Sequence, residues 1–143
     1  MGTDLKTKLE RIPLEILNQG KYELIDEIYA PNFVEHYEQP GVPPTREGFK
    51  QFAMAYRSAF PDLHYMIEDQ IAEGDKSVTR ITLTGTHRAD FMGIKASGKQ
   101  IHVTGVFIIR HDATGKALEI WINFDDLGMF RQLGAIPTLG HAG

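Results

Sequence analysis

The hydrophobic pattern of this chain changes from helical to alternating after Asp62, and this change constrains the fold more than any other feature. Before it, apolar residues recur at three- and four-residue spacing, as on one face of a helix. After it, apolar and polar residues alternate through four stretches that are separated by glycine-containing turns, which is typical of β-strands. Helices followed by antiparallel strands predict an α+β fold in which a curved sheet wraps over the N-terminal helices and encloses a pocket.

Three helices are predicted before the strands. Apolar spacing predicts a first helix from Leu5 to Leu17, with a kink at Pro13 or a start close to it, because proline removes a helical hydrogen bond. A short second helix is predicted over residues 21–30 and stops at Pro31, and the prolines of residues 31–44 predict a loop. Thr45 is the expected N-cap of the third helix, which ends at Phe60.

Composition narrows the classes of function. The 143 residues are most simply one domain, with residues 137–143 as a flexible tail, and the net charge of −4 without a basic stripe argues against nucleic acid as a partner. There is no cysteine, no apolar run long enough to span a membrane and no secretory leader, so a soluble cytoplasmic protein is expected. No close pair of histidines suggests a metal site, and no glycine-rich phosphate loop suggests a nucleotide cofactor.

The last predicted strand, ALEIWINFDD, has two faces of different character. The mixed face consists of Glu119, Trp121, Asn123 and Asp125, and the apolar face consists of Leu118, Ile120, Ile122 and Phe124. We expect the mixed face to line the pocket and the apolar face to pack on the far side. Because little of the chain is left to cover the far side, the pattern predicts a homodimer that pairs sheet to sheet.

Several side chains are candidates for chemistry in this pocket. Apolar walls around Asp125 would raise the pKa of its carboxyl and make it an acid or base near neutral pH, although an Asp at a strand end is also typical of a turn or helix cap. Asp126 is the expected N-cap of the final helix. His36 and His87 could point into the enclosed space, or be hydrogen-bonded structural histidines. The aromatic residues that could wall a pocket for a flat apolar ligand, or form the core, are Phe33, Phe52, Tyr56, Phe60, Phe91 and Trp121.

Three stretches of the chain resemble the SnoaL-like polyketide cyclases of the NTF2-like superfamily. They are YAPNFVEHY, the segment from AFPD through GTHRADFMGIKASGKQI, and GKALEIWINFDDLGMFRQLGAIP. The resemblance as a whole covers the chain from about Leu14 to Pro137. The motifs most specific to the family are FPD, GTH before GI and GK, and W-x-x-x-D before LGMFRQLG. The resemblance implies a cone-shaped α+β fold, a deep apolar pocket and acid–base catalysis without a cofactor.

The resemblance also implies roles for single residues. Asp125 matches the Asp that moves protons during the intramolecular aldol cyclisation of the cyclases. His36 and His87 match positions where many members carry a histidine near the pocket, and Trp121 matches the Trp that lines it. The second pocket histidine of the cyclases falls on Arg110 or His111.

Two classes of function therefore remain open. The first is a cyclase-type enzyme acting on a small apolar or polycyclic keto substrate, with a hydrolase or isomerase that uses the same Asp as a variant. The second is a non-catalytic module that binds a small ligand.

Overall fold

The structure, a computed structural model, describes residues 2–36 and 41–136, and of residues 2–4 only the backbone. The predicted tail, 137–143, lies outside the described residues. The helices are α1 (Gly2–Arg11), α2 (Ile25–Ile28), α3 (Arg46–Ala59) and α4 (Asp126–Gln132). The strands are β1 (Tyr29–His36), β2 (His64–Glu73), β3 (Lys76–Thr86), β4 (Gln100–His111) and β5 (Ala117–Phe124). The predicted α+β fold is confirmed.

One sheet contains all five of these strands, in the order β1-β5-β4-β3-β2. The four strands predicted from alternation pair with their neighbours in antiparallel fashion. β1 was not predicted; it pairs parallel to β5 at the edge of the sheet, where the sequence suggested a helix end and a loop. This strand brings residues 33–36 beside the strand ALEIWINF.

The helix changes type next to Pro13, where α1 ends at Arg11 and a new segment begins at Ile12. A π-helical segment, Ile12–Leu17, follows α1 directly, and its wider turn accommodates the missing N–H of proline. Ile12 and Ile16 in this segment are at most 1% exposed, so the apolar stripe that the sequence predicted is buried as a continuous face.

Helix α3 lies over β1 and carries the aromatic side chains of the core. The Thr45 side chain accepts a hydrogen bond from the Gly48 N–H at 3.2 Å, as predicted for its N-cap. Phe49 and Tyr56 are buried on its inner face, and Phe60 just after it is fully buried. No helix of the described residues is long and apolar enough to cross a membrane.

Candidate functional site

A cavity lies between α3, β1 and the inner face of the sheet. Its lining is almost entirely apolar and consists of Leu17, Glu35, Phe49, Phe52, Ala53, Tyr56, Tyr65, Phe107, Ile122 and Phe124. The cavity leaves about 40 Å³ for the centre of a water-sized group. One water needs roughly 10–15 Å³ by that measure, so this conformation admits a few waters or a small functional group.

Glu35 is the one carboxylate among the described residues that line this cavity. Only 7% of the residue is exposed, and burial raises the pKa of its carboxyl from 4.5 to about 7. Desolvation raises the pKa of an acid because the charged form loses more solvation than the neutral form. The geometry therefore places a carboxyl with a raised pKa in an apolar cavity.

Alternation along β1 is what turns Glu35 inward. Phe33 and Glu35 are buried, while Val34 and His36 are exposed on the other face. The Glu35 N–H donates to the Pro44 carbonyl at 3.0 Å, which ties the strand to the segment just before α3. The sequence does not mark Glu35 as a pocket residue, because the prolines of residues 31–44 predict a loop. The alternation within NFVEH is the signal that indicates a strand there.

His36, in contrast, belongs to a polar cluster on the outer face of the sheet. Its ring stacks on Trp121 with centroids 5.0 Å apart, and its Nε2 lies 2.8 Å from a Glu119 carboxylate oxygen. The Arg110 guanidinium donates to the other oxygen of Glu119 at 2.6 Å. These bonds from His36 and Arg110 lower the pKa of Glu119.

The faces of β5 are therefore the reverse of the expectation. Ile122 and Phe124 line the cavity, whereas Glu119 and Trp121 lie on the outer face and Asn123 is exposed. The cavity is part of the apolar interior, so apolar side chains line it. The polar groups of β5 find partners on neighbouring strands outside.

The expected position of Asp125 in the pocket is also wrong. Asp125 is exposed and lies just after β5, where its side chain accepts the Gly128 N–H at 2.9 Å as the N-cap of α4. The predicted cap was Asp126, which is instead the first residue of the helix. The geometry supports the helix-cap interpretation, and the catalytic role of Asp125 stays a prediction.

Neither candidate for the second polar position lines the cavity in the described part of the chain. Arg110 faces outward toward Glu119, and the His111 Nε2 lies 3.2 Å from the Gly74 carbonyl in the neighbouring turn.

His87 is fully buried in the core and does not line the cavity. Its ring stacks on Phe60 at 5.3 Å, and the Ser97 N–H donates to its Nδ1 at 3.2 Å. Phe91 packs on Tyr56 at 4.6 Å and extends the same aromatic cluster. Of the six aromatic residues predicted to form walls, Phe52 and Tyr56 line the cavity; Phe33, Phe60 and Phe91 pack in the core around it.

The model of one protein family, SnoaL-like polyketide cyclase, matches residues 7–133. The chain belongs to the SnoaL-like polyketide cyclase family. Among curated proteins, none matches the chain. Solved structures with a similar fold include candidate polyketide cyclases.

Three of these structures show how far the similarity extends. TsrD from Streptomyces laurentii has a TM-score of 0.84 and 29% identity, over 94% of this chain and 97% of its own. A candidate polyketide cyclase from Bacillus cereus has a TM-score of 0.81 and 32% identity, over 94% and 83%. IdmH from Streptomyces antibioticus, another candidate polyketide cyclase, has a TM-score of 0.77 and 28% identity, over 91% and 98%.

Proposed function

We propose that this member of the family is an enzyme that needs no cofactor and that removes a proton next to a carbonyl group of a polyketide-like substrate. The observation that carries the proposal is Glu35, a buried carboxyl in an apolar cavity, whose pKa of about 7 suits a base at neutral pH. Family membership supports the reaction type, and the cavity supplies the place for it.

The proposed reaction is an intramolecular aldol addition. The Glu35 carboxylate takes a proton from the carbon next to one carbonyl, and the electron pair moves into an enolate. The enolate carbon attacks a second carbonyl of the same molecule, which forms the ring bond. Glu35 then returns its proton to the new alkoxide. The aromatic walls, including Phe52 and Phe124, would hold the two ends together, which removes most of the entropic cost of ring closure.

A substrate of ring size needs more room than the cavity offers in this conformation, since about 40 Å³ is open to water-sized groups. Binding must therefore separate α3 from the sheet or rotate aromatic side chains. The same observation favours a second candidate function, a non-catalytic module that holds a small ligand.

Deuterium exchange tests the proton transfer without knowledge of the natural substrate. In D₂O, the wild-type protein should speed deuterium incorporation at the methyl group of acetophenone, followed by NMR. Glu35→Gln should remove this acceleration. Glu119→Gln, which changes the carboxylate on the opposite face of the sheet, should keep it. Equal exchange by wild type and Glu35→Gln would overturn the assignment of Glu35. Acetophenone binding without any exchange would favour the binding module.

We also propose that two copies pair through the outer face of the sheet. A row of apolar side chains crosses this face in register: Ile71 opposite Val78, Val78 opposite Ile108, and Ile108 opposite Trp121. Ile71 is 63% exposed, which is costly for a side chain of this kind. Positively and negatively charged side chains lie beside this row, and Arg80 donates a hydrogen bond to Asp69 at 2.6 Å. A second copy related by a twofold axis can therefore pack against the row without repulsion between like charges.

A further inference from the structure

The proposed reaction creates a negative charge on an oxygen atom that the cavity must stabilise. When Glu35 removes the proton, the electron pair of the C–H bond moves toward the carbonyl oxygen and forms the enolate. An apolar cavity solvates such an anion poorly, so the oxygen needs a hydrogen-bond donor that is already in place. Among the described residues that line the cavity, the side chains with a hydroxyl are Tyr56 from α3 and Tyr65 from β2.

Neighbouring rings fix the ring of Tyr56 and with it the position of the phenolic oxygen. The residue is 5% exposed. Its ring centroid lies 5.1 Å from that of Phe52, which meets it edge-on, 4.6 Å from that of Phe91 and 5.8 Å from that of Phe60. The hydrogen of the hydroxyl can still turn about the C–O bond. A donor held in this way needs little reorganisation when charge develops on a nearby oxygen.

The Tyr56 hydroxyl donates its hydrogen to a weak acceptor. It bonds to Met129 Sδ at 3.8 Å, in a buried contact between α3 and α4. A thioether sulfur accepts a hydrogen bond weakly, whereas the charged oxygen of an enolate accepts strongly. The hydroxyl therefore gains when it exchanges the sulfur for an enolate oxygen. The gain is smaller for a neutral carbonyl, so this bond favours the enolate over the bound substrate.

We propose that Tyr56 is a catalytic residue, whose hydroxyl turns from Met129 to the carbonyl oxygen of the substrate and stabilises the enolate. Glu35 and Tyr56 line the same cavity from two different elements, β1 and α3, so a small ketone in it can meet both groups. The hydroxyl keeps its proton throughout, and Glu35 alone takes up the proton from carbon. The catalytic role rests on the proposed function of Glu35, but the contact with the ligand oxygen can be tested without turnover.

Ligand binding tests this contact. Acetophenone and α-methylstyrene have nearly the same shape, but only acetophenone has an oxygen that accepts a hydrogen bond. Tyr56→Phe should bind acetophenone about tenfold more weakly than wild type and α-methylstyrene equally well, because one hydrogen bond is lost and the ring is kept. The infrared C=O stretch of acetophenone bound to wild type should also lie at a lower frequency than in Tyr56→Phe.

Deuterium exchange into acetophenone tests the catalytic part. Tyr56→Phe should lower kcat for exchange by about a hundredfold, a larger effect than the rise in KM, because the bond is strongest to the enolate. Met129→Leu is the matched control, since it removes the sulfur and leaves the hydroxyl. This variant should keep both acetophenone binding and exchange. A purely structural role of the bond between Tyr56 and Met129 would instead impair the two variants equally.

Three results would each overturn the inference: equal losses in Tyr56→Phe and Met129→Leu, unchanged acetophenone binding in Tyr56→Phe, or a Tyr56→Phe variant that no longer folds. A selective loss of acetophenone binding in Tyr65→Phe, without one in Tyr56→Phe, would overturn it as well, since Tyr65 would then be the donor. Selective loss in Tyr56→Phe together with full exchange by Glu35→Gln would uphold the contact and refute the proposed function of Glu35 instead.

Discussion

Glu35 and His36 are neighbours in sequence, but their side chains lie on opposite faces of the sheet. Glu35 faces the apolar cavity, while His36 stacks on Trp121 outside it. This alternation of β1 places the Glu35 carboxyl in the apolar cavity and His36 in the cluster with Glu119 and Trp121 on the outer face of the sheet.

The buried Glu35 makes the stability of the protein depend on pH. Its folded pKa of about 7 lies above the ordinary 4.5, so the folded state binds the extra proton between these values. Binding of this proton stabilises the folded state fully below about pH 4.5. The free energy of unfolding then falls by roughly 3 kcal/mol in total as the pH rises through 7. Urea unfolding at several pH values should show this loss in wild type and not in Glu35→Gln. A variant with the same loss as wild type would contradict it.

Asp125 allows its two suggested roles to be separated. Asn is as good an N-cap as Asp, so Asp125→Asn should unfold like wild type, whereas Asp125→Ala should lose about 1 kcal/mol through the missing bond to Gly128. Both variants should keep the exchange activity toward acetophenone. If Asp125→Asn folds normally and loses that activity while Glu35→Gln retains it, then the role implied by family resemblance is correct and Glu35 is not the base.

Gly105 controls the space that Phe124 occupies in the cavity wall. A Cβ at residue 105 would lie 2.7 Å from a ring carbon of Phe124, too close for a real contact. Gly105→Ala should therefore displace the ring and weaken acetophenone binding several-fold, without altering any carboxyl. Gly85→Ala is the control: its Cβ would lie 3.1 Å from the Cβ of Phe60, a core residue outside the cavity lining. Equal weakening in both variants would mean that the effect is general destabilisation.

The sheet dimer predicts a specific response to charge. Ile71→Asp places a carboxylate in the apolar row of the outer face, and its exposed position means that the single chain can tolerate it. Analytical ultracentrifugation should show dimers for wild type and monomers for this variant. Met54→Asp, at an exposed position of α3 that is 46% accessible, should remain dimeric. A wild-type protein that sediments as a monomer at high concentration would exclude this interface.

The periodicity of the sequence predicted the type and order of most elements. Alternation identified β2 to β5, and Thr45 marked the start of α3, because these patterns depend on neighbours in sequence. Alternation also predicted which residues of β5 share a face. The pattern does not show which of the two faces lines the cavity, because the cavity lies on the face where α3 packs.

The candidate site was less predictable, and β1 explains why. Its pairing with β5 joins residues more than 80 positions apart, such as His36 and Trp121, and Pro31 lies within it. Proline and nearby turn residues predict a loop locally, while an edge strand tolerates proline because one side of it needs no partner. Without β1 the sequence offered Asp125 as the pocket carboxyl, and Glu35 was overlooked.

The pKa of the Glu35 carboxyl in the wild-type protein tests the central claim most directly. It can be measured by NMR titration of the side-chain carbons, with Glu35→Gln to assign the signal. The structure predicts a value of about 7, set by burial in the apolar cavity. A value close to the ordinary 4.5 would show that water reaches the carboxyl freely, and the cavity would then not be a site for proton transfer by Glu35.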